Sequence, residues 1–322
     1  MRELSAMIVA FVVSAVLMRV LLPVLHRLKF GQNVYELAPE AHQKKQGTPT
    51  MGGLAIAGGG LMSALLFLKI GNGDPVPALA CMMLAFGNLL IGFADDMTKI
   101  RRGKNGGLSP KQKLAFQTVL AFVFSIWCVM RADVGSIIRI PFLRTEFDLG
   151  IFYVPIMTFV IVGTTNSANL MDGLDGLLSS VALVDFGTLS FLAVVFAVPG
   201  LSTTCAAFMG GCMGFLLFNA HPARVFMGDT GSMFIGGAIS AAALLLREPL
   251  LLIIIAFWMM MSSLSDLIQF AYFRKTHGKR FFKMAPIHHH FELCGLSETK
   301  IVTMYQLTTI AFCALALMGT VA

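Results

Sequence analysis

The chain has 322 residues, of which 57% are hydrophobic and only 13% are charged. Its mean hydropathy of +0.79 is far above what a soluble domain needs to build a core, so composition excludes a soluble protein and predicts one that crosses the membrane several times. The net charge of +7 comes from basic residues dispersed over short loops, without the aromatic residues that stack on bases. This pattern favours anionic membrane lipid as the partner and predicts no binding of nucleic acid.

Ten apolar stretches are each long enough to cross ~30 Å of hydrocarbon as a helix. In chain order they lie at about 4–24, 51–70, 77–94, 114–130, 151–168, 177–198, 203–220, 231–246, 249–273 and 301–321. The first stretch is followed by no small-residue cleavage site and is interpreted as a retained helix. The pattern predicts an all-α, polytopic integral membrane protein of about ten transmembrane helices, forming one domain over residues 1–322.

The distribution of lysine and arginine predicts the orientation in the membrane. Alternate connections hold 17 of the 24 basic residues, and the other connections hold six. The basic set comprises 26–50, 95–113, 166–175, 219–230 and 274–300. Because basic loops stay in the cytoplasm, both termini are predicted to be extracytoplasmic.

Two connections carry local signals. Ser109 followed by Pro110 predicts the N-cap and first residue of the fourth helix. The long outer connection 131–150 partly alternates apolar and polar residues, which favours a short hairpin without a catalytic role. The six cysteines form no CxxC pair, so neither a disulfide framework nor a zinc site is expected.

Unusual polar residues gather at the predicted cytoplasmic helix ends. They are Asp95 and Asp96, the ladder Asn166, Asn169, Asp172 and Asp175, then Asn219, Asp229 and the run 288–290 of three histidines. A solvated helix end explains any one of them alone. Five of the 17 acidic residues belong to this set, however, and a carboxylate at the bilayer centre costs ~2.5–3.5 kcal/mol. Their joint placement therefore predicts a shared polar cleft near the membrane surface.

The residue types in this cleft suit pyrophosphate chemistry. Clustered carboxylates repel one another unless a divalent cation or lysines neutralise them, and Lys99 follows Asp95 by one helical turn. Asp229 begins a helix, where it is either an ordinary N-cap or part of a phosphate site. Three consecutive histidines cannot all face one metal ion, so hydrogen bonding to phosphate or to metal-bound groups fits them better. The set predicts a Mg²⁺-dependent reaction.

Four motifs resemble one enzyme family in the same order. They are FADDMTK (93–99), NLMDGLDGL (169–177), NAHPARVFMGDTGS (219–232) and APIHHHFE (285–292). Over essentially its whole length the chain resembles the polyprenyl-phosphate N-acetylhexosamine-1-phosphate transferases, and the triple histidine is most similar to the muramoyl-pentapeptide branch. The resemblance implies a protein with ten transmembrane helices in the bacterial plasma membrane. It also implies Mg²⁺-dependent transfer of phospho-MurNAc-pentapeptide from UDP-MurNAc-pentapeptide to undecaprenyl phosphate at the cytoplasmic face, giving lipid I and UMP for peptidoglycan synthesis.

The resemblance further implies roles for single residues. Asp95 resembles the base for the lipid phosphate, Asp96 its acidic neighbour and Asp229 the Mg²⁺ ligand, with His289 as a further catalytic residue. Nucleoside-contacting positions are matched by Asp175, Asn219 and Phe226. The remaining substrate-binding positions are Lys45, Lys99, Lys111, Asn169, Asp172, His288 and His290.

Several alternatives stay open at this stage. Lys44 could replace Lys45 as the loop lysine, and Asp266 could replace a glutamate that the family carries in its ninth helix. A sibling transferase using UDP-N-acetylglucosamine is the alternative enzyme, and a divalent-cation transporter is the alternative class. The sequence also leaves open whether transfer is direct or covalent, and whether the protein forms a homodimer.

Overall fold

The computed structural model describes residues 1–27, 45, 47–70, 74–102, 106–143 and 145–321. This part of the chain is mostly helical. Its helices are α1 (Arg2–Arg27), α2 (Gly53–Ile70), α3 (Val76–Arg102), α4 (Pro110–Met130), α5 (Tyr153–Met171), α6 (Leu177–Val195), α7 (Pro199–Asn219), α8 (Gly228–Leu245), α9 (Leu252–Ile255), α10 (Phe257–Lys275), α11 (Ile287–Leu293) and α12 (Glu298–Val321). Short 3-10 turns lie at Gly150–Phe152 and Pro249–Leu251.

Seven helices in the described residues are long and apolar enough to cross a membrane. They are α1, α3, α4, α5 with its preceding turn, α6, α7 and α12. The segments Pro249–Ile255 and Phe257–Lys275 meet at 83° and make an eighth candidate if they form one broken span. The prediction of an all-α, polytopic membrane protein is confirmed at this level. The count of ten helices and the side of the termini stay predictions.

The predicted hairpin in the connection 131–150 is present as a minor departure from the all-α class. Strands β1 (Ile137–Ile140) and β2 (Thr145–Asp148) pair antiparallel, with Ile137 opposite Asp148. The Arg139 N–H donates to the Arg247 carbonyl at 2.8 Å. The hairpin therefore lies at the C-terminal end of α8.

Glycines allow the central helices to approach closely. A Cβ atom on Gly53 would lie 2.1 Å from Gly231 Cα, and one on Gly92 would lie 2.2 Å from the Asp229 carbonyl oxygen. No side chain fits such gaps, so α2 and α3 both pack directly on the first turn of α8. Asp95 and Asp96 follow Gly92 by one turn, and this crossing brings them beside Asp229.

The first turn of α4 is fixed as its sequence predicts. Ser109 accepts a hydrogen bond from the Gln112 N–H, and the Gln112 side chain accepts from the Ser109 N–H, with Pro110 as the first helical residue. This capping box fixes the residue at which α4 begins. In the packed helix Lys111 is exposed and Lys113 contacts Asp229.

All six cysteines are free thiols, and five of them are buried while Cys294 is exposed.

Candidate active site

Three aspartates form the centre of the site, and we call Asp95, Asp96 and Asp229 the aspartate cluster. One carboxylate oxygen from each lies within 4.8 Å of the others. The Asp95 and Asp96 side chains are only 4% and 3% exposed, and Asp229 is 16% exposed. Such close carboxylates need a cationic partner.

Two lysines provide part of that positive charge. Lys99 Nζ lies 2.7 Å from Asp95 Oδ2 and 3.1 Å from Asp229 Oδ2. Lys113 Nζ lies 2.7 Å from the same Asp229 oxygen. The other Asp229 oxygen accepts a 2.8 Å hydrogen bond from Asn169 Nδ2. Residues from α3, α4, α5 and α8 therefore converge on one carboxylate.

Asp96 stabilises the start of α8. Its Oδ2 accepts from Thr230 N at 2.9 Å and from Thr230 Oγ1 at 2.7 Å, while its Oδ1 accepts from Asp229 N at 3.2 Å. Gly228 just before them has φ +73°, and a Cβ there would lie 2.6 Å from Asp96 Oδ2. An N-terminal helix cap thus comes from a neighbouring helix, and it fixes the backbone that carries Asp229.

Asp95 is held by the loop before α4. Its Oδ1 accepts a 2.7 Å hydrogen bond from Leu108 N. A Cβ at Gly107 would meet this carboxylate at 2.3 Å, so only glycine allows the loop to pass so close. The loop and Lys99 together fix the orientation of the Asp95 side chain.

A second charged group, which we call the Lys45 cluster, contains Lys45, Asp175, His221 and Glu298. Lys45 Nζ lies 2.7 Å from Asp175 Oδ1 and 2.6 Å from Glu298 Oε1. His221 Nδ1 lies 3.1 Å from Asp175 Oδ2 and 3.3 Å from Glu298 Oε2. Although the Asp175, His221 and Glu298 ligand atoms are close enough to hold a metal ion, the Lys45 ammonium already supplies a cation to both carboxylates.

Asn219 ends α7, and Phe226 lies in the connection between α7 and α8. The Asn219 amide is buried, accepts from Gly176 N at 3.1 Å and donates to the Val225 carbonyl at 2.9 Å. Its side chain is thereby used within the protein, where it fixes the loop before α8. The half-exposed Phe226 is anchored by its backbone, which donates to the Pro49 carbonyl at 2.8 Å and accepts from Gly52 N at 2.9 Å.

The three histidines point in different directions, as predicted. His288 is fully buried, and a Cβ at Gly173 would lie 2.2 Å from its Nε2. His289 Nδ1 lies 2.6 Å from Glu292 Oε2. His290 Nδ1 accepts from Lys283 N, in the loop before α11, at 3.1 Å. His288 is therefore packed against the loop that carries Asp172 and Asp175, whereas His290 contacts the loop before α11.

Comparisons with known proteins agree with this arrangement. The model of glycosyl transferase family 4 matches residues 78–247, just over half of the chain, and signature 1 of phospho-N-acetylmuramoyl-pentapeptide-transferase matches residues 45–56. A curated phospho-N-acetylmuramoyl-pentapeptide-transferase from Clostridium perfringens (strain 13 / Type A) is 42% identical over 312 residues, covering 97% of this chain and 96% of the relative. A relative of the same name from Bacillus thuringiensis (strain Al Hakam) is 44% identical over 297 residues, covering 92% and 91%. The chain belongs to the phospho-N-acetylmuramoyl-pentapeptide-transferase family.

The family signature begins at Lys45, which the structure places in the Lys45 cluster. Lys44 lies outside the described residues. The match to glycosyl transferase family 4 ends at residue 247 and does not reach the three histidines or Glu298. Asp266 lies near enough to His289 to interact with it electrostatically. Its replacement of a family glutamate stays a hypothesis.

Three charged residues of the site were not indicated by the sequence: Lys113, His221 and Glu298. Lys111 and Lys113 stand two residues apart in the same turn, and only the packing of α4 against α5 shows that Lys113 enters the site while Lys111 is exposed. The Lys111 side chain is exposed at the start of α4, and its substrate-binding role stays a prediction. Glu298 stands in the first turn of α12, where an acidic residue is expected for the helix dipole alone.

Asp172, in the connection between α5 and α6, has a raised pKa. Burial raises the pKa of Asp172 to about 8, and the negative charges of Asp229, Asp96 and Asp175 add to the shift.

Proposed function

We propose that this protein transfers phospho-MurNAc-pentapeptide from UDP-MurNAc-pentapeptide to undecaprenyl phosphate, releasing UMP and forming lipid I. The observation that carries the proposal is the convergence of three carboxylates and two lysines on the first turn of α8. Family membership supports a nucleotide-sugar donor and a lipid acceptor for such a site. The reaction is the first membrane step of peptidoglycan synthesis.

We infer that the site uses Mg²⁺, held by Asp229. The residues of the aspartate cluster fit Mg²⁺ because their clustered ligand atoms are all carboxylate oxygens, which Mg²⁺ prefers. A bound Mg²⁺ neutralises negative charge that develops on the pyrophosphate. Asp96 instead caps the first turn of α8, where it accepts hydrogen bonds from Asp229 N, Thr230 N and Thr230 Oγ1.

The protein's own groups orient and stabilise the reacting phosphates. An oxygen of the lipid phosphate forms a bond to the phosphorus next to the sugar, and the bond from that phosphorus to the UMP oxygen breaks. Lys99 and Lys113 stabilise the negative charge on the departing UMP. Asp95 orients the lipid phosphate, which needs little deprotonation because its second pKa is ~6 by analogy with phosphorylated side chains.

We further propose ten transmembrane helices, with both termini outside and the active site at the cytoplasmic face. Two observations support this arrangement. The set of connections that carries the site holds 17 Lys and Arg residues, and the other connections hold six. In addition, Asp229 and the hairpin lie at opposite ends of α8, whose 18 residues span about 27 Å.

The exposed thiol of Cys294 tests this orientation without any substitution. A membrane-impermeant maleimide is expected to label Cys294 in inside-out vesicles and not in intact cells, since the other five cysteines are buried. Labelling from the outside would reverse the topology.

The function itself is tested by UMP release from UDP-MurNAc-pentapeptide and from UDP-N-acetylglucosamine, each with undecaprenyl phosphate. Release only from the muramoyl substrate is expected. Release only from UDP-N-acetylglucosamine would instead support the sibling transferase. Uptake of a divalent metal into proteoliposomes without nucleotide would support a transporter.

A further inference from the structure

Glu298 contacts three separate segments of the chain. Its carboxylate accepts hydrogen bonds from Lys45 Nζ at 2.6 and 2.9 Å and from Asp175 N at 2.5 Å, and it lies 3.3 Å from His221 Nδ1. Only 10% of the Glu298 side chain is exposed. One side chain on α12 thereby restrains the lysine at the start of the family signature and the loops before α6 and α8.

The charges in this cluster show what Glu298 controls. Asp175 is 1% exposed and Lys45 is 15% exposed, so their interaction is weakly screened. Among the described residues, one N–H of the ammonium points to Asp175 and one is shared by the two Glu298 oxygens, so the third N–H has no acceptor in this part of the chain and can donate to a ligand. Glu298 therefore fixes the direction in which Lys45 can donate.

The Asp175 carboxylate is used within the protein, where it accepts from Lys45, His221 and the Ala223 N–H. Because both neighbours of His221 Nδ1 are acceptors, this nitrogen carries the hydrogen. A donor directed by Lys45 matches uracil, which presents a carbonyl acceptor at C4. Cytosine carries an amino donor at the same position.

We propose that Glu298 is a positioning residue that sets Lys45 for recognition of the uracil base and thereby contributes to selection of a uridine nucleotide over a cytidine nucleotide. The proposal rests on the proposed function, because it takes the Lys45 cluster as the nucleoside end of the UDP-sugar site. Glu298 acts through Lys45 and the Asp175 backbone and not on the reacting phosphates.

The test compares UMP and CMP binding by isothermal titration calorimetry on the full-length protein in detergent. Glu298→Gln keeps an acceptor for Asp175 N but removes the charge that restrains Lys45. We expect it to weaken UMP binding about tenfold, which corresponds to ~1.4 kcal/mol, and to change CMP binding by less than about twofold. The kcat of the transfer reaction should stay within about threefold while KM for the UDP-sugar rises.

Three further variants separate positioning from a general loss of structure. Glu298→Asp keeps the charge and should hold UMP affinity within about threefold of the wild type. Lys300→Gln alters an exposed neighbour in the same turn and should change nothing. In a Lys45→Gln background, Glu298→Gln should have little further effect on UMP affinity, because the two residues act on one contact.

Equal losses for UMP and CMP, tighter UMP binding in Glu298→Gln, or additive effects with Lys45→Gln would each overturn the role of Glu298. UMP release by the wild type tests the proposed function separately. A wild-type protein that binds UMP but releases none from the muramoyl substrate would refute the function and leave the binding test of Glu298 intact.

Discussion

The aspartate cluster and the Lys45 cluster place similar residue types in different structural settings. The aspartates and both lysines near them lie in helices, and three of the contacts converge on Asp229 alone. In the Lys45 cluster, Lys45, Asp175 and His221 lie in connections, and only Glu298 lies in a helix. One cluster is thus built by helix packing, and the other ties loops to the start of α12.

This difference indicates which part of the reaction each cluster serves. Reacting groups must be held closely, and helices packed through Gly92 and Gly231 provide such rigidity. Ligand recognition tolerates loops that are fixed by charge pairs. We therefore expect substitutions in the aspartate cluster to lower kcat and substitutions near the Lys45 cluster to raise KM.

The strongest test is Asp229→Asn against Asp95→Asn. Asp229→Asn should lower kcat by at least about 10²–10³-fold and weaken Mg²⁺ binding, because an amide is a poorer ligand and the charge on the leaving group is less well stabilised. Asp95→Asn should lose turnover while Mg²⁺ and nucleotide still bind. Metal-dependent nucleotide binding, measured by calorimetry, distinguishes the variants. Loss of Mg²⁺ affinity in Asp95→Asn alone would mean that their roles are reversed.

Lys113 and Lys111 provide a matched pair on one helical turn. Lys113→Gln should reduce kcat/KM by about 10–100-fold, since a hydrogen bond to a charged group contributes ~1.5–3 kcal/mol. Lys111→Gln, on the exposed side, should stay within about twofold. Steady-state UMP release measures both variants. An equal loss in Lys111→Gln would restore the substrate-binding role that its sequence position suggested.

Phe226→Ala should show the opposite kinetic signature. Base stacking is worth ~1–3 kcal/mol in ground and transition states alike, so KM for the UDP-sugar should rise about tenfold with kcat largely kept. Phe281→Ala, which removes an exposed ring from the loop before α11, serves as the control. A large fall in kcat at saturating UDP-sugar would contradict stacking by Phe226. It would also weaken the expectation that only the aspartate cluster controls kcat.

The smallest effect concerns the pH dependence of stability at Asp172, three residues before Asp175 of the Lys45 cluster. Its folded-state pKa of about 8 lies above the ordinary value near ~3.9, so the folded protein holds a proton that the unfolded chain loses. Its contribution to stability is complete below about pH 4 and is lost as pH rises towards 8. In EDTA, the Tm should fall more between pH 5 and 8 in the wild type than in Asp172→Asn. Parallel Tm profiles would show that Asp172 ionises normally.

The sequence predicted most of the helices because hydrophobic patterning is a local property. Each of the ten apolar stretches overlaps a described helix or the bent pair at 249–275. The capping box at Ser109 and the hairpin in 131–150 were also readable from neighbouring residues. Length and composition do not show that α9 and α10 meet at 83°, since that angle depends on how they pack.

Residue identity and order were enough to indicate Asp95, Asp229 and Asp175 as parts of a polar cleft, because carboxylates beside apolar spans are costly unless they share a polar site. The tertiary structure alone separated them into two clusters. No local sequence pattern predicts contacts between residues more than 100 positions apart, such as Lys45 with Glu298 and Asp96 with Thr230. The same holds for the choice of Lys113 over Lys111, which depends on the side of α4 that packs against α5. Sequence thus determined which chemical groups are present, and helix packing decided which of them meet.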